Sequence, residues 1–164
     1  MPATVPNSTG IRASRLKAQA LVWHNQAILT ETEVLLHGRL GELQCLVSEI
    51  ARFCREHSLG SEVEFELNLV LEELFTNSIR HGGCAGMENA VHVRLQLHEN
   101  GVHVEYADRG MAFDPLSAPP PDLEMRLEDR NVGGFGIHIV RQIMRDLEYR
   151  RQGGWNQITM RRPC

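Results

Sequence analysis

Apolar positions recur in two rhythms along this chain. Leu43, Leu46, Val47, Ile50, Cys54 and His57 fall at helical period until Gly60, so a helix is predicted to end there. Ser61 and Glu64 have the spacing of a capping box, and Val63, Leu67, Val70, Leu71, Leu74 and Ile79 form the apolar stripe of a second helix that stops at Gly82-Gly83. The rhythm then changes. Val91, Val93, Leu95 and Leu97 alternate with polar neighbours, Asn100-Gly101 turns the chain, and Val102, Val104, Tyr106 and Asp108 return, which predicts a β-hairpin. A short strand is expected over 34–39, and a third helix from the stripe Ile137, Val140, Ile143 or Met144, and Leu147. A closing strand pair is expected over 147–151 and 155–161, joined by Gly153-Gly154. Sheet on one side and helices on the other give a two-layer α/β sandwich of the α+β kind, its mixed sheet mainly antiparallel.

Three segments carry candidate chemistry. Val102, Val104, Tyr106 and Asp108 share one face of a strand that is apolar until the carboxylate, and a lone carboxylate there needs a donor. Gly110 follows in Asp108-Arg109-Gly110-Met111-Ala112-Phe113-Asp114-Pro115, where a missing side chain lets a flat ligand approach the backbone. Gly133-Gly134-Phe135-Gly136-Ile137 opens a helical pattern, and the free N–H groups of a glycine-rich helix start favour phosphate. Upstream, Glu73, Asn77 and His81 lie four apart and so are expected along one helix edge, where a carboxylate and an amide face the same phosphate tail. Each segment has a plainer reading: an ordinary turn, a flexible connection, a solvated helix face, a helix-end histidine. In this order they read together as a purine pocket with a phosphate cradle.

These residues resemble the nucleotide boxes of the GHKL, or Bergerat-fold, ATPases, and most closely the branch of anti-sigma-factor serine/threonine-protein kinases. Asp-x-Gly-x-x-Phe-Asp-Pro and Gly-Gly-x-Gly-x-x-x-Val are typical there, and the similarity covers about residues 32–162. The resemblance implies the Bergerat ATP-binding fold, ATP and Mg²⁺ as cofactors, and roles by position. Asp108 partners the adenine amino group, with Gly110, Met111 and Phe113 beside it. Asn77 holds Mg²⁺ against the phosphates, and Glu73 is the base that prepares the acceptor. Gly133, Gly134, Phe135, Gly136 and Ile137 line the phosphates, Arg80 stands where relatives often place a basic phosphate contact, and His81 is counted with the nucleotide-binding residues from its place on the helix edge. The implied partners are an anti-anti-sigma protein of the STAS type and a sigma factor.

Composition fits this picture. The 164 residues suit one domain large enough to bury a core, and a net charge of −4 supplies no basic field for nucleic acid. Cys45, Cys54, Cys84 and Cys164 show neither zinc-ligand spacing nor a disulfide framework, and read as reduced thiols of the cytoplasm. No apolar run is long enough to span a membrane, and the start of the chain lacks the apolar core of a signal peptide.

Two regions leave alternatives open. Residues 1–30 form an N-terminal arm that is either loosely ordered or a short helix, with Leu16, Ala20, Trp23 and Ala27 at helical spacing, that docks on a partner or a second copy in a homodimer. Residues 31–164 then make the ATPase domain. Within it, residues 111–132, with prolines at 119–121, suit a lid over the ligand or an unstructured loop. The resemblance departs at Cys45–Ser48, where kinases of this branch tend to carry a partner-reaching arginine and this chain has none; Arg39, Arg52 and Arg55 are off-register. A nucleotide-gated binding protein without kinase activity therefore stands beside the kinase reading. A sensor histidine kinase would need a dimerising helical hairpin that 30 upstream residues cannot hold.

Overall fold

A computed structural model describes residues 28–117 and 135–164. Most of the N-terminal arm, most of the expected lid, Gly133 and Gly134 lie outside the described residues. Within them the strands are β1 (Thr30–Leu36), β2 (Val91–His98), β3 (Gly101–Asp108), β4 (Arg145–Gln152) and β5 (Trp155–Arg162), and the helices are α1 (Leu43–Glu56), α2 (Ser61–Arg80) and α3 (Phe135–Ile143). The strands form one sheet in the order β1-β2-β3-β5-β4, and every pairing among them is antiparallel, so the expected mixed character is absent from the described sheet.

The expected inward faces are buried. Val91, Val93 and Leu95 from β2, Val102, Val104 and Tyr106 from β3, and Ile158 and Met160 from β5 meet Leu46, Ile50 and Phe53 of α1, Leu67, Val70, Leu71 and Leu74 of α2, and Val140 of α3 in one core. Burying such side chains contributes on the order of 1.5–3 kcal/mol each, which makes this layer the main stabilising term.

Several boundaries differ from the sequence reading. β1 begins at Thr30 instead of 34 and ends at Leu36, because pairing with β2 extends to Thr30 opposite Leu97. Its first residues carry no apolar alternation; they are held from the outer face, where Arg94 bonds Glu33 at 2.7 Å and Glu105 at 3.3 Å across three strands. Gly60, not Ser61, is the N-cap of α2, and no side chain caps it, so the Ser61–Glu64 capping box does not form. Val47 is exposed on α1, where Phe53 takes the buried place instead. Helix α3 ends at Ile143, and Leu147 belongs to β4.

The two hairpins are closed differently. Between β4 and β5, Gly153 (φ 59°) and Gly154 (φ 87°) are both left-handed, as a two-residue turn matched to the strand twist requires. Between β2 and β3 the loop residues are Glu99 and Asn100, and the positive φ of 131° falls on Gly101, the first residue of β3. A side chain there would overlap the Arg162 carbonyl.

β4 also carries a bulge. Arg145 pairs with Arg161 but Glu148 pairs with Thr159, so the register shifts by one residue near Asp146, whose φ is 54°. A one-residue shift flips every following side chain to the other face. Tyr149 and Arg151, opposite Ile158 and Asn156, thereby face the helices and the end of the sheet where Asp108 lies.

At the opposite end, His103 of β3 packs against His98 with ring centroids 4.1 Å apart. Burial first, then the neighbouring His98 and Arg161, pushes the His103 imidazole down to about 4. The unfolded chain, with an ordinary histidine near 6.5, binds more protons between these values, so stability falls as pH drops from about 6.5 towards 4. Half-burial limits the effect to on the order of 1 kcal/mol at pH 5. Urea unfolding at pH 7.5 and pH 5 checks this, and His103→Gln is expected to flatten the difference.

Candidate functional site

Helix α2 organises the site. Its Asn77 amide donates to Glu73 Oε1 at 2.7 Å, one turn apart, so the expected carboxylate–amide pair exists on one edge. The row stops there: α2 ends at Arg80, and His81 leaves helical geometry at φ −123°, so its side chain does not continue the stack. Arg80 and His81 are both exposed at the helix end.

One residue past Asn77, Ser78 turns to the buried side and donates to Asp108 Oδ2 at 3.0 Å. Its oxygen lies 2.8 Å from the Tyr106 hydroxyl, which donates to the Leu74 carbonyl. Burial raises the Tyr106 pKa well above its ordinary value, so this phenol stays a donor. Asp108 itself is only 8 % exposed, and its Oδ1 accepts from Gly110 N and from Asn156 Nδ2, each at 2.8 Å. Cys84 Sγ lies 3.9 Å from the same oxygen; burial and then the Asp108 charge push its thiol up to about 11, which keeps it protonated and inert as a nucleophile.

The carboxylate is therefore asymmetric. A carboxylate has roughly four lone-pair positions, two on each oxygen. Oδ1 is filled by two strong donors and one weak one, while Oδ2 has Ser78 alone and can take one more donor. That free position suits a base with an exocyclic amine.

Two glycines are held by contact. A Cβ on Gly110 would overlap the Gly82 carbonyl and lie 2.8 Å from Asp108 Oδ1, so the loop after β3 closes on the end of α2 only without one. The Met111 N–H, donating to Gly82 O at 2.8 Å, fixes the same approach. A Cβ on Gly136, in the first turn of α3, would overlap the Glu73 carboxyl group. The glycine-box helix thus starts directly against Glu73.

The remaining expected contacts divide. Met111 and Phe113 are exposed, at 66 % and 63 %, beside the Gly110 loop. The Ile137 side chain lies in the core, which leaves only its backbone for a ligand. Phe135 begins α3.

Sequence reasoning missed Ser78, Cys84, Asn156 and Arg151. Asn156 bears the most bonds of these, and an asparagine two residues before the apolar inward pair Ile158 and Met160 is the one signal that marks it.

The residues present fit ATP and Mg²⁺. With its Nδ2 engaged by Glu73, Asn77 has a neutral oxygen left over, and Mg²⁺ takes one or two protein oxygens alongside phosphate and water.

A two-layer sandwich that gathers a helix-borne carboxylate–amide pair, a strand-end carboxylate and a glycine helix start at one end has the architecture of an ATPase domain. Residues 37–162 match the histidine kinase-like ATPase domain family, and the chain belongs to that family. It is 34% identical over 62% of its length to the serine/threonine-protein kinase BtrW of Bordetella bronchiseptica, of which it covers 71%. It is 25% identical to the serine-protein kinase RsbW of Oceanobacillus iheyensis and 30% identical to the anti-sigma F factor of Priestia megaterium, spanning 59% and 56% of those proteins. The crystal structure of the RsbU and RsbW domains of a Mycobacterium tuberculosis protein shares the fold, with a TM-score of 0.60 at 11% identity, over 82% of this chain and 32% of that one.

Proposed function

We propose that this chain binds ATP with Mg²⁺ and phosphorylates a serine or threonine of an anti-anti-sigma partner of the STAS type, while its free form sequesters a sigma factor in the cytoplasm. One observation carries the reading. A single helix holds Glu73 and Asn77 on one edge and, through Ser78, the purine-facing Asp108, with Gly136 packed against Glu73. The names of the relatives, serine-protein kinases and an anti-sigma factor, point the same way.

In this reading residues 31–164 are the ATPase domain and residues 1–30 an N-terminal arm, either loosely ordered or a short helix for partner or dimer contacts. Asp108 Oδ2 accepts the amine of the base, and the Gly110 loop lies against the ring. Asn77 Oδ1 serves the metal, which supplies charge neutralisation at the phosphates when bound. Glu73 orients the acceptor hydroxyl and takes its proton. Gly133, Gly134 and Gly136, with the N–H groups that open α3, cradle phosphate, Arg80 and His81 stand at the phosphate end, and residues 111–132 close over it.

A specific observation favours the second reading, a nucleotide-gated binder without transfer. The stretch matching the partner-reaching arginine exposes Cys45, Val47 and Ser48, and the nearest cation of α1, Arg52, is bonded to both Glu49 and Glu56. Incubation with γ-labelled ATP and a co-encoded STAS protein separates the two. Label on a partner hydroxyl is the expected result; tight ATP-dependent partner binding with no label would establish the gated binder instead.

A further inference from the structure

We propose that Arg151, reaching in from the edge strand β4, is a positioning residue for the base end of the site: with Tyr149 it locks the Asn156 side-chain amide so that the amide always donates to Asp108. This rests on the nucleotide reading above and deepens it by naming what sets the choice of base.

Asn156 uses all its polar capacity. Its Oδ1 accepts from the Tyr149 hydroxyl at 2.9 Å, from Arg151 Nη1 at 2.8 Å and from Phe113 N at 3.4 Å. Its Nδ2 donates to Asp108 Oδ1 at 2.8 Å and to the Met111 carbonyl at 2.9 Å. A rotated amide would set its oxygen against a carboxylate and a carbonyl, and its NH₂ against a guanidinium. Only one orientation pairs every donor with an acceptor.

Arg151 is the charged member of this set, and its Nη1 also donates to the Gly110 carbonyl at 2.8 Å. One guanidinium therefore fixes both the amide and the loop that follows the purine carboxylate. It arrives there because the bulge at Asp146 turns Tyr149 and Arg151 to the inner face; without the shift both would point away from Asn156.

The consequence is a choice of base. While the amide donates, Asp108 Oδ1 is held by fixed donors and Oδ2, an acceptor like any carboxylate oxygen, is aimed at one place, where it welcomes a 6-amino purine and faces the oxygen of a 6-oxo purine with like polarity. Released from Arg151, the amide can turn, Asp108 loses its fixed setting, and the discrimination relaxes.

The test measures equilibrium binding of ATP and GTP to the full chain, with thermal unfolding of the nucleotide-free protein alongside. Arg151→Met is expected to weaken ATP by about tenfold, because the amide and the Gly110 loop then hold the binding arrangement only a fraction of the time, and to leave weak GTP binding unchanged or improved, so the ATP/GTP ratio falls. Arg151→Lys, which keeps a cationic donor, is expected to fall between the two. Asn156→Asp supplies an independent measurement. It sets two carboxylates within hydrogen-bond distance, which then share a proton, so its ATP affinity relative to wild type at the same pH is expected to be low at pH 8 and to recover towards pH 5.5.

An unchanged ATP/GTP ratio in Arg151→Met, or an equal loss of both nucleotides, overturns the lock, as does a pH-independent Asn156→Asp. Wild-type protein that binds neither nucleotide overturns the functional reading itself, and the lock with it.

Discussion

Glu73→Gln is expected to bind ATP nearly as the parent protein does and to transfer phosphate on the order of 10²–10⁴ more slowly. The glutamine keeps an oxygen for the Asn77 amide, which Glu73 Oε1 accepts at 2.7 Å, so the helix edge and its neighbour stay in place. It also keeps the volume that Gly136 packs against. What it removes is the ability to take a proton. Binding calorimetry with ATP and Mg²⁺, beside single-turnover transfer to a co-encoded STAS protein as the proposed acceptor, separates these effects. Transfer at the parental rate would place the base elsewhere, and a large loss of binding would make Glu73 a ligand-holding group.

Asp108→Ala is expected to weaken ATP binding by about tenfold to a hundredfold, the equivalent of a charge-assisted hydrogen bond of roughly 1.5–3 kcal/mol. The cost does not stop at the ligand. Ser78, Gly110 N and Asn156 Nδ2 all donate to this carboxylate, and its loss leaves buried donors short of an acceptor, so the nucleotide-free fold loses on the order of 1–3 kcal/mol as well. Asp108→Asn tests the asymmetry. With an amide oxygen retained at Oδ1 for the two strong donors, the NH₂ group takes the place of Oδ2 and presents a donor to the base. ATP is then expected to bind poorly and a 6-oxo purine to gain relative to it. Unchanged ATP affinity in Asp108→Ala would remove the purine pocket from this end of the sheet.

Much of this was legible in the sequence, for identifiable reasons. The β2–β3 hairpin shows itself because one face is buried and the other carries Arg94, Gln96 and Glu105. Asp108 stands out because a carboxylate ends an otherwise apolar face, and Glu73 and Asn77 because a helix turn brings fourth neighbours together. The bonds around Asn156 were not legible. Its partner Asp108 lies 48 residues away, and their contact depends on the register of β5 between two neighbours, which alternation within one strand cannot set. Arg151 was hidden for a further reason: the Asp146 bulge reverses the face that a regular strand would assign to it. The start of β1 was missed because its residues are polar on both faces and owe their strand conformation to β2.

Chain order and spatial order disagree at one place in the sheet, where β5 lies between β3 and β4 although it follows both in sequence. As the polypeptide leaves the ribosome, β3 must wait with one edge open and β4 has no neighbour until residues 155–162 emerge. Asp108 is present for that whole interval without Asn156. Closure of the sheet and completion of the hydrogen bonds around Asp108 are then the same late event, so a nascent chain arrested before Trp155 should hold helices and a hairpin yet leave the candidate site unfinished.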